Sequence, residues 1–221
     1  MTDDENNEAG SGGSREQKLF LYIVIALALV AGVGSWFAAA AFSPPDRWHG
    51  ILPDRERRLG DFWLTDETGR TVTRAELAGK ILVVSFLFTS CSLTCPEVSR
   101  RMADIQRLTL TDAGVRLVSL TVDPRSDTPP VLAKWGARFG ADTNRWLLLT
   151  GSRPVLHGLI AQSFLAQDNG DPFNSMPGNF TGTERIAVVD RHGRTRIYFD
   201  GLREETPAAV AAEIARLRGE P

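Results

Sequence analysis

Cysteine is scarce in this 221-residue chain: there are two, Cys91 and Cys95, four positions apart. Two cysteines cannot staple a small secreted scaffold together. An excess of either charge is lacking as well. The 25 Lys and Arg against 27 Asp and Glu leave a formal net charge of −2, so no strong polyanion-binding field arises and nucleic acid is not an expected partner. There is no C-x-x-C-H run, no phosphate-cradling glycine loop and no second Cys/His cluster, so haem, nucleotide and zinc sites are not expected. Internal repeats are absent. The remaining composition, 43% apolar and 24% charged, is that of a globular chain and excludes full-length disorder and collagen.

One local extreme stands out. Leu19 to Phe42 is a run of 24 residues without a charged side chain. As a helix it spans a bilayer core of about 30 Å with some tilt. Tyr22 and Trp36 lie near its two ends, where aromatics suit the interface. A cleaved signal peptide has a shorter apolar region, so a retained single-pass anchor over 19–42 is the expectation, although Ala38 to Ala41 offers small residues of the kind found at cleavage sites. No cysteine follows the run, which excludes a lipoprotein anchor. Arg47, Arg55, Arg57 and Arg58 outnumber Arg15 and Lys18 across the run, but large following domains translocate largely regardless of charge. The acidic start, with Asp3, Asp4, Glu5 and Glu8, argues against a mitochondrial transit peptide. A bacterial inner-membrane protein with a periplasmic C-terminal domain is expected. Residues 1–18 read as a disordered tail and 43–59, with Pro44, Pro45 and Pro53, as a linker. Residues 60–221 are long enough for one well-buried core.

Within that part, Asp61–Leu64 and Val72–Thr73 flank Glu67-Thr68-Gly69-Arg70 as an N-terminal β-hairpin. Ile81–Phe88 and Val115–Val122 are continuous apolar runs rich in β-branched residues and read as buried strands. Pro96 opens an amphipathic helix carrying Val98, Met102 and Ile105. Asp127, as a cap, starts another that runs to about Phe139. Trp146–Thr150 reads as a short strand, and Arg153–Gln167 as a helix with Val155, Leu159 and Phe164 inward. Ile186–Val189 and Thr195–Phe199 form a hairpin across Asp190–Gly193, and Thr206-Pro207 opens a last helix with Val210, Ile214 and Leu217 on one face. Strands alternating with helices and a closing strand–strand–helix give an α/β, thioredoxin-like fold.

The two thiols fall between the first core strand and its helix, in Cys91-Ser92-Leu93-Thr94-Cys95-Pro96. Pro96 belongs in a first helical turn, which puts Cys95 at or near the N-cap. Unpaired N–H groups and the positive dipole end there favour thiolate, the form that attacks disulfides and binds soft metals. Three intervening residues let both sulfurs turn towards one point, to close a disulfide or to hold one Cu(I). A purely structural bridge over so short a loop would stabilise by only about 2 kcal/mol.

These stretches resemble the Sco/SenC family of membrane-anchored, thioredoxin-fold copper proteins from about Gly60 to the C-terminus. The likeness is carried by Phe86-Leu87-Phe88-Thr89-Ser90-Cys91-Ser92-Leu93-Thr94-Cys95-Pro96, by Leu120-Thr121-Val122-Asp123-Pro124-Arg125-Ser126-Asp127-Thr128-Pro129 and by Arg185–Gly193. The resemblance implies a Cu(I) metallochaperone for the binuclear copper site of a cytochrome c oxidase subunit, or a thiol–disulfide oxidoreductase that reduces the cysteines of that site. It makes Cys91 and Cys95 both copper ligands and redox pair. The family's third ligand, a histidine, falls on Gly182, which has no side chain to offer.

Other candidate ligands have simpler readings. His157 sits on a predicted helix, His192 in a hairpin turn, His49 in the linker, and Met176 in a loop rich in Gly, Asn and Pro. Asp123, ending the second core strand, is read as a strand terminator that could also hydrogen-bond to the thiol loop. A peroxiredoxin P-x-x-x-T-x-x-C frame ending at Cys95 would need proline where Phe88 stands and threonine where Ser92 stands. A Trp-Cys-x-x-Cys thioredoxin motif is absent.

Overall fold

The computed structural model describes Lys18, residues 21–25, 57–164 and 183–220. The chain divides into two compact units, Met1–Arg47 and Trp48–Pro221. In the first, the described residues are helical and exposed. The expected anchor over 19–42 lies mostly outside the described residues, and among these no helix is long and apolar enough to cross a membrane.

The second unit is built on a six-stranded mixed sheet. Its strands are β1 (Arg57–Arg58), β4 (Ile81–Leu87), β5 (Val115–Thr121), β6 (Trp146–Leu149), β7 (Arg185–Val189) and β8 (Arg194–Asp200), in the order β1-β8-β7-β4-β5-β6. β4, β5 and β6 are parallel, whereas β7 runs antiparallel to β4 and β8. Every residue of β4 is buried, as its unbroken apolar run requires of a strand covered on both faces. Alternate side chains serve two layers. Leu82, Val84 and Phe86 pack with α4 (Arg153–Ser163), while Ile81, Val83 and Leu87 pack with α2 (Thr94–Leu108), α3 (Pro129–Arg138) and α5 (Thr206–Arg218). Each such buried aliphatic or aromatic side chain contributes about 1.5–3 kcal/mol. Two serines interrupt the apolar runs without an orphaned hydroxyl between them. Ser85 and Ser119 are register partners with their Oγ atoms 2.7 Å apart, and Trp146 Nε1 donates to Ser119 at 2.9 Å.

The expected N-terminal hairpin is present as β2 (Trp63–Thr65) and β3 (Thr71–Thr73), followed by the single turn α1 (Arg74–Leu77). One turn chemistry closes the β2–β3 and β7–β8 hairpins. In Asp66-Glu67-Thr68-Gly69-Arg70 and in Asp190-Arg191-His192-Gly193-Arg194, the aspartate accepts backbone N–H groups two and four residues on, and the glycine takes a positive φ, 87° and 77°. The hairpin covers the outer edge of β6. Thr65 and Thr150 exchange backbone hydrogen bonds, and the buried Glu67 carboxylate accepts the Leu148 N–H at 2.8 Å.

Three features differ from the sequence reading. The sheet begins at Arg57, inside the segment read as linker, because Arg57 buries its stem and donates to the carbonyls of Ala161 and Gln162 at the end of α4. α4 ends at Ser163, and its inward face is Leu156, Leu159 and Ile160, with Phe164 following; Val155 is exposed. Thr128, not Asp127, occupies the N-cap position of α3. Asp127 is fully buried and turns its carboxylate elsewhere.

Candidate functional site: two unequal thiols

β4 lies where the parallel and antiparallel halves of the sheet meet. Its C-terminal end opens into the loop carrying Cys91, and α2 follows directly. Thr94, Cys95 and Pro96 are the first three helical residues, so the missing N–H of Pro96 costs no intrahelical bond. Leu93 holds the N-cap position without a side-chain cap and is 82% exposed at the tip of the loop. Cys91 supplies the cap instead: its Sγ accepts the Cys95 N–H at 3.2 Å and lies 3.3 Å from Thr94 Oγ1. Cys91 N–H in turn donates to Phe88 O at 3.0 Å.

The two sulfurs are therefore unlike. Burial pushes the Cys91 thiol up, but hydrogen bonds from Thr94, Cys95 and the loop backbone outweigh it and bring it down to about 7. Burial dominates at Cys95, which has no exposed surface, and contact with Cys91 adds to it; that thiol is pushed up to about 12. This reverses the sequence expectation, which placed the activated thiol at Cys95. Residue 95 does sit in the first helical turn, yet its side chain points into the core beside Val98 and Met102. The sulfur that meets the helix N-terminus belongs to the residue four positions earlier. Both cysteines are free thiols, Cys91 half-buried and Cys95 buried, and the Cys91 sulfur rests on the Cys95 backbone N–H.

The other described candidates are not gathered here. Among the described residues, no group of three or more His, Cys, Asp or Glu is arranged to hold a metal. His192 sits in the β7–β8 turn, at the opposite end of the sheet, and is exposed. His157 lies within α4, on the other layer. His49, Met176 and Gly182 fall outside the described residues.

Sequence reasoning missed three threonines. Thr94 touches the Cys91 sulfur, and Thr89 and Thr121 both donate to Asp127. Asp127 accepts the Thr89 N–H at 3.1 Å and its hydroxyl on Oδ1, and the Thr121 hydroxyl on Oδ2. Asp123 makes no such link; its N–H donates to Thr121 Oγ1 and its carbonyl accepts the Asp127 N–H. A hydroxyl residue three positions after a cysteine at a helix start was the one available signal for Thr94.

A mixed sheet of this topology, with a thiol pair after the parallel strand β4, defines a thioredoxin-like protein. The SCO1/SenC family pattern matches residues 52–219, and the chain belongs to that family. A SCO2-like protein of Rickettsia felis is 30% identical over 162 residues, covering 70% of this chain and 78% of its own length. Among solved structures, Bradyrhizobium japonicum ScoI with copper bound is 27% identical with a TM-score of 0.56, covering 72% of this chain and 98% of that one. BsSco, a member of the Sco family of cytochrome c oxidase assembly proteins with an identified disulfide switch, has the same fold. It superposes with a TM-score of 0.63 at 21% identity, covering 78% of this chain and 98% of its own.

Proposed function

We propose that this protein carries Cu(I) on Cys91 and Cys95 for assembly of the binuclear copper site of cytochrome c oxidase. Its expected segment 19–42 anchors it in a bacterial inner membrane, and residues 60–221 act outside the cytoplasm. The observation that carries the reading is the pair of free thiols at the end of β4, the Cys91 sulfur held on the Cys95 N–H, in a chain of the SCO1/SenC family. Copper in the Bradyrhizobium ScoI structure supports the choice of cargo. The donor set fits it: soft sulfur ligands select Cu(I), and Cu(I) accepts two-coordination. Cys91, half-exposed, is the sulfur a donor or client reaches first. Cys95 has to give up its proton as the metal arrives, so loading releases protons and strengthens with pH.

The unequal exposure and charge preference of the two thiols favour a second reading, thiol–disulfide exchange. The Cys91 thiolate attacks a client disulfide, forming a mixed disulfide and releasing one client thiolate. Cys95 then loses its proton and attacks Cys91 Sγ, closing the Cys91–Cys95 bond and releasing the second client thiol. Two electrons pass from this protein to its client.

Anaerobic titration of the reduced full chain in detergent with Cu(I), against a competing chelator, separates the two. One bound equivalent, lost in Cys91→Ser, is expected. No retained copper, together with stoichiometric reduction of a disulfide peptide, decides for the second reading. Alkylation of Cys91 should titrate with a midpoint of about 7, while Cys95 stays unreactive in the folded chain. A reporter fused after Pro221 that works only in the cytoplasm would overturn the placement.

A further inference from the structure

We propose that Asp127 is the positioning residue of the thiol loop, its buried carboxylate fastening Thr89 and thereby holding Cys91 against Cys95. This rests on the reading of Cys91 and Cys95 as the working thiols. The two cysteines are held by different means. Cys95 belongs to a 15-residue helix whose inner face, with Val98, Met102 and Ile105, is buried in the core. Its position is settled by packing. Cys91 lies outside that helix, and Ser90 and Ser92 on either side of it are exposed. Below it are the two sulfur contacts to Thr94 and the Cys95 N–H. At the loop entry, Thr89 is held by Asp127 through both its backbone N–H and its hydroxyl.

Asp127 is itself well anchored. Its N–H donates to Asp123 O at 2.9 Å, Thr121 at the end of β5 donates its hydroxyl to Oδ2, and α3 begins two residues later. One carboxylate therefore ties the loop after β4 to the loop after β5. Both parallel strands have made their last paired contact by Leu87 and Thr121, apart from the Val122 N–H to Leu87 O bond. All three donors to Asp127 are neutral. A carboxylate buried among neutral donors is costly unless every acceptor site is used. An asparagine of the same shape keeps one acceptor oxygen and puts a donor amide where a donor hydroxyl already points. The carboxylate is thus suited to a task that shape-filling alone does not require: receiving two hydroxyls and an N–H from two different strand ends.

Holding one thiol against the other raises the effective concentration with which they meet. The test is the equilibrium constant for closing the Cys91–Cys95 disulfide against glutathione, in the full chain in detergent, with the melting temperature measured alongside. Asp127→Asn and Thr89→Val should each lower that constant about fivefold or more, while Thr89→Ser, which keeps the hydroxyl, stays within about twofold of the wild type. If Asp127→Asn does not fold, the contrast between Thr89→Val and Thr89→Ser decides. Folded variants that melt earlier but close the disulfide as readily as wild type would overturn the proposal and leave Asp127 a purely structural residue. A wild-type chain whose thiols never close would overturn it too. Failure to take up Cu(I) in the separate titration would defeat the carrier reading while leaving this comparison intact.

Discussion

Two buried aspartates sit at opposite ends of the sheet and are satisfied in opposite ways. Asp190, in the β7–β8 turn, accepts the N–H groups of His192 and Arg194, and its second oxygen meets the Arg194 and Arg196 guanidinium groups at 2.8 and 3.1 Å. Asp127, at the thiol end, is met by Thr89 and Thr121 and by no cation among its hydrogen-bond partners. Burial pushes both carboxyls up. At Asp190 the hydrogen bonds from the turn and the arginines win, and it ends below the usual carboxylate range; at Asp127 burial wins and it ends above. The end that only closes a turn uses full charges. The end that carries the two cysteines is stapled with hydroxyls, which leaves no fixed guanidinium in that staple to compete for an anionic sulfur.

The largest effect on stability is expected at the charged end. Asp190→Ala leaves two turn N–H groups without their acceptor and takes a carboxylate from the Arg194 and Arg196 guanidinium groups, the second of which keeps Glu220, and should cost about 3 kcal/mol in urea unfolding at neutral pH. The contrast breaks if that variant also changes how readily the Cys91–Cys95 disulfide closes. At the thiol end Gly201 is a tight steric point: an added Cβ would lie 2.8 Å from the Glu184 carbonyl oxygen and 3.0 Å from Val98 Cγ2. Gly201→Ala should therefore cost about 2 kcal/mol by the same measurement.

The pH dependence sharpens the comparison through its sign. Asp190 and Asp66 have lowered carboxyls, so the unfolded chain binds the extra protons, and their stabilisation fades as pH falls below the ordinary carboxylate range. Asp127 and Glu67 have raised ones, so the folded chain binds the extra protons. Their contribution is full below the ordinary range and is lost as pH rises through the raised values. Unfolding free energies across acid to neutral pH should show Asp190→Asn losing part of the acid limb. Asp127→Asn should lose part of the decline on the other side. The smallest effect belongs to Gly193→Ala, at a positive φ of 77° where an added Cβ would make only an ordinary contact with Leu59 Cβ at 3.7 Å, which should cost about 1 kcal/mol.

What could be read in advance follows from how local each cause is. Ile81–Leu87 and Val115–Thr121 declared themselves by unbroken apolar runs, and Pro96, Pro129 and Pro207 marked helix starts. Both hairpin turns were legible because their aspartate and glycine act within five residues. β1 was not: two arginines carry no strand pattern, and their pairing with β8 is more than a hundred residues away. The choice between Leu156 and Val155 as the inward side chain rests on one residue's rotation of a helix, finer than a pattern of apolar residues resolves. At the site, the loop and both thiols were found, but their ranking was inverted. Which sulfur meets the helix N-terminus depends on the path of the loop between them, and that path is set by Thr89 and Asp127, 38 residues apart in the chain.

The carboxylate of Glu67, laid along the outer side of β6, has a consequence for life at high local density. An open parallel edge invites a neighbouring polypeptide to add itself as one more strand. Here the N–H of Leu148 is already taken by a side chain and that of Thr150 by the hairpin backbone. Crowded copies of this domain thus find that stretch of the border closed to strand recruitment, and the hairpin serves as a guard against self-association.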